Sequence, residues 1–429
     1  MPITTIASDP VLSNLRAAAA GGAPQALFEL AAALVVRRHP EEAFDLYRRA
    51  AESGHSGAQF EHARMLLLGV GGDADPARGL DRMLSAERAG HAAAGYQLAL
   101  IGLGGVLLPL DAQVNQRMLA AVQANYPPAV RAAALHFGRR AGDTNQTLCL
   151  QLLERAAQRG DVTAAQLLAQ RLALGEGCQA QPAAADELLA QLDRHGVPRL
   201  PMIRVDRAQP SASDALPPGT FAFEDALQPA SASVLSRQPR VARVDGLLSA
   251  DECRLLVASA RPQLRRSNAV DPESGLPIEV EVRTSSDASL DPVLEDFALR
   301  AVQLRMASAA GMAMVNGEHL TVLRYEPGQQ YRPHRDYVPP GAIERDQPQA
   351  GNRQRTICVY LNDVEAGGET EFPVAGVRIA PRPGSAVVFD NLLADGRPDP
   401  DSLHAGLPVL AGEKWLATLW LRQRRYRGF

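Results

Sequence analysis

The sequence predicts a multidomain chain of α and β structure, in which an N-terminal all-α helical-repeat solenoid precedes a β-rich domain. Two observations support this prediction. Alanine- and leucine-rich stretches with few β-branched runs fill roughly the first 200 residues and favour helix. Short β-type segments separated by glycine and proline follow after residue 240, and such a pattern indicates an antiparallel sandwich or barrel.

Four segments of the first half resemble one another at a nearly constant spacing. They are RRAAESGHSGAQFEHARMLLLG (48–69), LSAERAGHAAAGYQLALIGLGG (84–105), LAAVQANYPPAVRAAALHFGRR (119–140) and LERAAQRGDVTAAQLLAQRLAL (153–174). Aligning Gly54, Gly90, Asn125 and Gly160 gives steps of 36, 35 and 35 residues. In each unit a helix is predicted to end at a residue suited to the left-handed conformation, after which a second helix begins. This period is typical of a helix-turn-helix solenoid.

The units resemble Sel1-like repeats, which are relatives of tetratricopeptide repeats. The segment AAESGHSGAQFEHARMLLLG shows the resemblance best, including its AA-x-x-G-x-x-x-A core. The third unit departs from the pattern, with Asn125, Pro127 and Pro128 where glycine and small residues are usual. Two interpretations stay open, namely a scaffold without a partner or a surface that binds a protein.

Composition divides the chain into three predicted parts. Residues 1–197 are the helical-repeat domain, and residues 198–239, rich in Pro, Ser and Ala, are a linker with some extended structure. Residues 240–429 are the second domain. It begins with a short strand and a helix that Ser249 is expected to cap, with Asp251 and Glu252 in the first turn. Strand-like segments follow, namely HLTVLRYE, TICVYLND, GVRIAPRPGSAVVFDN and WLATLWLRQ.

Charge and composition argue against several classes of protein. A formal net charge of −4 and a hydrophobic content of 46% are those of an ordinary globular protein, and we expect neither nucleic acid nor membrane as a partner. The N-terminus lacks a basic segment followed by an apolar core, and no apolar run approaches about 18 residues. The four cysteines form no CxxC pair, so a zinc site or disulfide framework is not predicted and a reducing, cytoplasmic location is expected.

Two of the three histidines of the C-terminal half belong to a candidate metal site. His334 and Asp336 lie two apart in YRPHRD, so in an extended segment their side chains point to the same face. His404 follows 70 residues later in DSLHAGLPV. Two imidazoles and one carboxylate form a facial triad that suits non-haem Fe(II). The residues alone leave a second interpretation open, in which they are exposed histidines and a turn aspartate. The third histidine, His319, is expected to be structural.

The surrounding motifs resemble those of the 2-oxoglutarate- and Fe(II)-dependent dioxygenases, specifically the prolyl 4-hydroxylase group. LTVLRYEPGQQYRPHRDY is similar to the family's Y-x-x-G-x-x-Y-x-x-H-x-D, and RQRTICVYLNDVEAGGETEFP to its R-x-x-T, YLN and GGET-x-F-P segment. VEVRTSS (280–286) is similar to its R-T-S stretch. Lys414, ten residues beyond His404, completes the family's order of motifs. The resemblance covers about residues 240–425.

The resemblance implies a double-stranded β-helix (jelly-roll) with supporting helices, and it implies site residues. The catalytic metal ligands would be His334, Asp336 and His404, and the cofactors Fe(II), 2-oxoglutarate as co-substrate, O2 and, as an optional addition, ascorbate. The residues implied for the co-substrate are Lys414, Tyr325, Thr370 and Thr418. Those implied for the substrate are Tyr331, Arg353, Trp420 and Arg283. Lys414 is the only lysine of the chain, and an ammonium is a compact charge suited to the far carboxylate of 2-oxoglutarate.

We therefore expect a dioxygenase that hydroxylates a prolyl residue of a protein or peptide and releases succinate and CO2. The helical repeats would recruit the substrate or another protein partner. Two alternatives stay open. One keeps the iron chemistry but acts on another residue or a small molecule, and the other is an inactive barrel that serves as a protein-binding adaptor. The intact triad and Lys414 argue against the adaptor, because an inactive relative could lose any of them.

Overall fold

The computed structural model describes residues 9–205, 217, 219–223, 231–267, 269–270, 277–278, 283–339, 341–344 and 347–428. The chain divides into two compact units, Met1–Tyr126 and Pro127–Phe429. The domain boundaries after 197 and 239 follow sequence composition rather than compactness, and they stay predictions. Much of the predicted linker, and residues 280–282 of the VEVRTSS motif, lie outside the described residues.

The described residues of the first unit form seven helices. They are α1 (Pro10–Ala19), α2 (Pro24–Val36), α3 (Pro40–Glu52), α4 (Ser56–Leu68), α5 (Pro76–Arg88), α6 (Ala92–Gly104) and α7 (Ala112–Gln123). Each helix packs against its neighbours in sequence, as expected of a stacked solenoid. Proline occupies the first turn of four of these helices, where its missing N–H has no intrahelical partner to lose.

Four more helices continue the pattern at the start of the second unit. They are α8 (Pro127–Arg139), α9 (Asp143–Ala157), α10 (Val162–Leu174) and α11 (Pro182–Arg194). The predicted helical repeat is thus confirmed over both units. Within the described ranges, we find no helix with the length and apolar character needed to span a membrane.

The left-handed turn predicted for each repeat is also confirmed. The backbone angle φ is 86° at Gly54, 82° at Gly90, 59° at Asn125 and 87° at Gly160. Asparagine is one of the few residues besides glycine that adopts this conformation readily. The third repeat therefore keeps the turn although it lacks the glycine.

The remainder of the second unit is built mainly from antiparallel strands. Their bounds are β1 (Ser233–Arg237), β2 (Arg240–Val244), β3 (Arg265–Arg266), β4 (Ala269–Val270), β5 (Pro277–Ile278), β6 (Ser286–Ser289), β7 (Thr321–Tyr325), β8 (Tyr331–His334), β9 (Arg353–Tyr360), β10 (Ala366–Gly367), β11 (Thr370–Phe372), β12 (Val377–Ile379), β13 (Ala386–Asp390), β14 (His404–Gly406), β15 (Val409–Ala411) and β16 (Lys414–Arg422). All four strand-like segments of the sequence become strands, as predicted.

Two of the sheets face each other and enclose the core. The larger has the order β1-β2-β13-β9-β16-β7-β6-β3, and the smaller has the order β12-β11-β14-β8. Side chains from both sheets form one buried cluster, in which the rings of Phe372 and Phe389 meet with centroids 5.0 Å apart. This is the predicted double-stranded β-helix, and its β-branched and aromatic strands suit a pleated, buried surface.

Two helices support the larger sheet, α12 (Ala250–Ala260) and α13 (Phe297–Ala309). The predicted cap of α12 is confirmed. The Ser249 hydroxyl accepts from the backbone N–H of Glu252, and the Glu252 carboxylate accepts from the backbone N–H of Ser249. This reciprocal capping box satisfies two amide groups that a helix start otherwise leaves unpaired.

A buried ionic cluster connects α12 with α10. Both carboxylate oxygens of Asp251 accept hydrogen bonds, from Arg171 (2.6 and 2.8 Å) and from Arg254 (2.8 Å). Arg254 also pairs with Glu176 (2.6 Å). Burial acts to raise the pKa of Asp251, but Arg171 and Arg254 hold that pKa below its usual value. The side chains of Asp251, Arg171 and Arg254 are almost fully buried. Loss of one of them would therefore leave a buried charge without full compensation.

We predict that Asp251→Asn lowers the free energy of unfolding of this unit by about 3–5 kcal/mol, because two buried guanidinium groups lose a counter-charge. Urea unfolding followed by tryptophan fluorescence measures the change, since both tryptophans of the chain lie in this unit. The control is Asp193→Asn, which breaks an exposed pair with Arg199 and should cost less than about 1 kcal/mol. Equal unfolding midpoints for the two variants would contradict the prediction.

Candidate active site

The antiparallel pair β8–β14 brings the three candidate metal ligands together. His334 ends β8, His404 begins β14, and the two histidines are directly opposite in the register. Asp336 follows β8 two residues later. Nε2 of His334 lies 3.7 Å from Oδ1 of Asp336, and Nε2 of His404 lies 3.8 Å from Oδ2. One ligand atom of each residue lies within 4.8 Å of the others.

Backbone carbonyls orient both imidazole rings. Nδ1 of His334 is 2.8 Å from the carbonyl oxygen of Arg332, and Nδ1 of His404 is 3.0 Å from that of Ser402. Because a carbonyl can only accept, Nδ1 carries the proton in both rings and the Nε2 lone pairs face the cluster. Burial lowers the pKa of His334 to about 3, and His404 acts in the same direction, so the His334 ring is neutral, as a metal ligand must be.

Asp336 stays ionised in this buried position. Burial acts to raise its pKa, but Arg353 and the hydrogen bond from Thr356 are among the causes that hold the pKa below its usual value. Two imidazole nitrogens and one carboxylate, with room left for other ligands, are the donor set that suits non-haem Fe(II). The residues present therefore fit the metal that the sequence implies.

A second layer of hydrogen bonds holds the carboxylate. The hydroxyl of Thr356 donates to Oδ2 of Asp336 (2.8 Å), and Nδ2 of Asn391 donates to that hydroxyl oxygen (2.9 Å). Both side chains are fully buried. Sequence reasoning missed both residues. Thr356 is the threonine of the R-x-x-T motif and could have been noticed, whereas nothing in the sequence connects Asn391 with position 356.

The structure brings ten of the eleven predicted site residues into one cavity. These ten are Arg283, Tyr325, Tyr331, His334, Asp336, Thr370, His404, Lys414, Thr418 and Trp420. Apolar side chains of the larger sheet, namely Leu323, Phe389 and Leu416, complete the lining with Cys358. The thiol of Cys358 lies 3.4 Å from the hydroxyl of Thr418. Burial raises the pKa of Cys358 to about 12, so this thiol is neutral.

Lys414 is a buried cation at the inner part of this cavity. It is 2% exposed, and its Nζ lies 5.4 Å from the ring centre of Tyr325 and 5.5 Å from that of Tyr360. In the described part of the chain, no carboxylate lies within ion-pair distance of it. Burial lowers the pKa of Lys414 to about 8. A buried ammonium that faces a cavity without a counter-ion is suited to an anionic ligand.

Tyr360 also positions one of the predicted co-substrate residues. Its phenol donates to the hydroxyl oxygen of Thr370 (2.7 Å), so the Thr370 proton is free to point elsewhere. Neither Tyr360 nor Cys358 was predicted as a site residue. The alternation of side chains along a strand could have indicated both residues, because Thr356, Cys358 and Tyr360 share one face of β9.

Aromatic and cationic side chains form the outer part of the site. The ring of Tyr331 stacks on that of His334, and the guanidinium carbon of Arg283 lies 5.3 Å from the centre of the Tyr331 ring. Arg353 is the predicted site residue that does not line the cavity. It donates twice to Glu318 (2.7 Å each) and lies 4.2 Å from the ring centre of Trp420, so it packs behind the tryptophan.

These features together define a class of protein. They are a two-sheet antiparallel barrel, a cluster of His-x-Asp with a distant His, and a buried cation in the same cavity. That class is the 2-oxoglutarate- and Fe(II)-dependent oxygenases. The profile of the 2OG-Fe(II) oxygenase superfamily matches residues 320–422, which contain all three ligands and Lys414.

Comparison with curated proteins narrows the assignment. Prolyl 4-hydroxylase 1 of Arabidopsis thaliana is 40% identical over 205 residues, which are 44% of this chain and 71% of the relative. Probable prolyl 4-hydroxylase 3 of the same plant is 36% identical over 213 residues, 45% of this chain and 73% of the relative. The chain belongs to the prolyl 4-hydroxylase family.

Solved structures give weaker likenesses. The viral collagen prolyl hydroxylase of Paramecium Bursaria Chlorella virus-1, in its 2OG complex, is 29% identical with a TM-score of 0.34, and the match covers 42% of this chain and 95% of that chain. The Sel1 repeat protein from Oxalobacter formigenes is 19% identical with a TM-score of 0.37, over 42% of this chain and 75% of that chain.

We predict that Thr356→Val lowers Fe(II) affinity about 10- to 100-fold, because Asp336 loses the donor that orients it. Anaerobic titration against a chelating dye measures this affinity without any turnover. The matched control is Thr321→Val, which makes the same change at another buried strand threonine, one that bonds to the carbonyl of His319. If both variants bind Fe(II) as tightly as the wild type, Thr356 does not support the site.

Proposed function

We propose that the chain hydroxylates a prolyl residue of a protein or peptide substrate. It would bind Fe(II) and consume 2-oxoglutarate and O2, as this family does. The reaction converts 2-oxoglutarate and O2 to succinate and CO2 and leaves one oxygen atom on the prolyl carbon. The observation that carries the proposal is one cavity that holds both the cluster of His334, Asp336 and His404 and the buried ammonium of Lys414. The prolyl specificity rests on the relatives named prolyl 4-hydroxylases.

Each end of the cavity has a proposed task. His334, Asp336 and His404 would hold Fe(II), which when bound activates O2 for attack on an unreactive C–H bond. Lys414 would bind the far carboxylate of 2-oxoglutarate, because the two opposite charges offset each other's burial. The hydroxyls of Thr370 and Thr418 line the same space and would donate to that co-substrate, as would the phenol of Tyr325.

The outer residues would bind the substrate chain. Nε1 of Trp420 is buried without an acceptor among the described residues, so a peptide carbonyl would satisfy it. Tyr331 and Arg283 both line the cavity and lie next to each other, and they would contact the prolyl residue and its neighbours. Arg353, held by Glu318, would fix the indole of Trp420 by stacking on it.

Three further assignments have less support from the site. We propose ascorbate as an auxiliary reductant that keeps the iron ferrous. We also propose that the helical repeats bind the substrate protein or another partner, since a solenoid offers an extended surface for a protein chain. A cytoplasmic location stays a prediction.

One test of this proposal is the pH dependence of 2-oxoglutarate binding. In the free protein the pKa of Lys414 is lowered to about 8 by burial, and a bound carboxylate favours the charged form. The co-substrate therefore binds best below pH 8, and its dissociation constant should rise up to about tenfold per pH unit above that value. Anaerobic binding titrations between about pH 7 and 9.5 measure the trend.

The matched control for that titration is Lys414→Arg. A guanidinium stays protonated over the whole range, so this variant should bind 2-oxoglutarate with little dependence on pH, whatever its absolute affinity. If the wild type and Lys414→Arg show the same pH slope, Lys414 is not the group that binds the carboxylate.

Another test of this proposal is the reaction itself. Purified protein with Fe(II) should convert 2-oxoglutarate to succinate, and proline-containing peptides or cell proteins should gain the mass of one oxygen atom on proline. Asp336→Ala should lose both activities by at least about 100-fold, because one of three ligands is missing. Asp186→Ala, at an exposed carboxylate of α11, is the control and should retain both. Succinate formation with no oxidised proline in any digest would contradict prolyl hydroxylation while leaving the iron chemistry intact.

A further inference from the structure

Asn391 lies between the strand that carries Thr356 and the segment that leads to His404. It directly follows the last residue of β13, and its backbone N–H donates to the carbonyl oxygen of Gln354 on β9 (2.9 Å). Its own carbonyl oxygen accepts from the backbone N–H of Asp399 (3.0 Å). Both main-chain polar groups of Asn391 are thus paired, and the residue is fully buried, so its side-chain amide starts from a fixed backbone position.

The turn that begins at Asp399 connects this position with His404. The carboxylate of Asp399 accepts from the backbone N–H of Asp401 (3.0 Å). The hydroxyl of Ser402 donates to the carbonyl oxygen of Asp399 (2.7 Å), and the carbonyl oxygen of Ser402 accepts from Nδ1 of His404 (3.0 Å). A continuous series of hydrogen bonds therefore fixes the place of Asn391 relative to one metal-ligand candidate.

The side-chain hydrogen bonds of Asn391 run in one direction, towards Asp336. A carboxylate that binds a metal is ionised and can only accept, so the hydroxyl proton of Thr356 points to Oδ2 of Asp336 (2.8 Å). The hydroxyl oxygen of Thr356 is then left as an acceptor, and Nδ2 of Asn391 donates to it (2.9 Å). Amide, hydroxyl and carboxylate therefore form a chain in which the place of each shared proton is determined.

The other end of the Asn391 amide gains nothing from its position. Its Oδ1 is buried and has no hydrogen-bond partner in the part of the chain that the structure describes. A buried amide oxygen without a donor raises the free energy of the folded state, and such exceptions call for an explanation. The bond from Nδ2 to Thr356 supplies one, because it supports a metal-ligand candidate.

We propose that Asn391 is a positioning residue of the metal site, which acts on Asp336 through Thr356. Without the amide, the hydroxyl oxygen of Thr356 would be buried without a donor, and the hydroxyl could turn away from Asp336 to other partners. With Oδ2 of Asp336 engaged by Thr356, Oδ1 keeps its full capacity for the metal. This inference rests on the proposed function, since it requires that the cluster binds Fe(II).

The test is a double-mutant cycle on Fe(II) affinity, which anaerobic titration against a chelating dye measures without any turnover. Asn391→Leu keeps the number of side-chain heavy atoms and removes the donor. It should weaken Fe(II) binding by about three- to tenfold, less than Thr356→Val, because the amide lies one hydrogen bond further from the ligand. The double variant should bind Fe(II) no more weakly than Thr356→Val alone, because the amide acts only through that hydroxyl.

The matched control is Asn145→Leu, which removes another buried amide of the same unit. Nδ2 of Asn145 donates to the carbonyl oxygen of Ala141 (2.8 Å), and Oδ1 accepts from the backbone N–H of Gly219 (3.3 Å). The thermal unfolding midpoint should fall in both leucine variants, whereas Fe(II) affinity should fall only in Asn391→Leu. Asn391→Ala is the second variant at the site, since it cannot overfill the core, and it should lose Fe(II) affinity to a similar extent.

The outcomes separate this inference from the proposed function. If Asn391→Leu and Asn391→Ala bind Fe(II) as tightly as the wild type, or if Asn145→Leu loses as much affinity, the inference is overturned while prolyl hydroxylation stands. Losses that multiply in the double variant also overturn it, because Asn391 then acts independently of Thr356. If the expected cycle is found but the wild type oxidises no proline, the positioning role stands while prolyl hydroxylation is wrong.

Discussion

The pairing of β8 with β14 is the constraint on which the site depends. It sets His334 directly opposite His404, and Asp336 then reaches the space between them. Side chains alternate between the two faces of a strand, so a slip of one residue in this register would turn one histidine away from the cavity. A hydrogen bond also joins the two segments beside this pair, because Nε of Arg335 donates to the carbonyl oxygen of Pro400 (2.8 Å).

The cavity combines a charged group at each end with a buried, mostly apolar wall. The wall shields the ammonium of Lys414 from water. It therefore raises the free energy of the charged form when no anionic ligand is bound. This cost lowers the pKa of Lys414 to about 8. Asp336 has compensating partners, because Arg353 and the hydroxyl of Thr356 lower its pKa. A structure keeps a buried, unpaired cation of this kind at the expense of stability, and such positions are commonly functional.

Buried charge also holds the helices of the second unit together. Arg171 on α10 and Arg254 on α12 meet at Asp251, far apart in sequence and almost fully buried. Interiors tolerate such groups when each finds its partner. The arginine-rich composition of the chain, in which 43 of 44 basic residues are arginine, suits this arrangement, because a guanidinium can serve two acceptors at once.

The sequence by itself determined the helical repeat, the left-handed turns, the strands of the barrel and the identity of the three metal-ligand candidates with Lys414. These features are written in local patterns, such as period, turn residues and motif order, which depend on neighbouring residues. Only the tertiary structure decided which side chains support them. Asn391 reaches Thr356 across 35 residues, Arg353 packs behind Trp420 rather than into the cavity, and the packing of α10 against α12 follows from Asp251. These contacts join residues distant in sequence, and no local pattern encodes which distant surfaces will meet when the core closes.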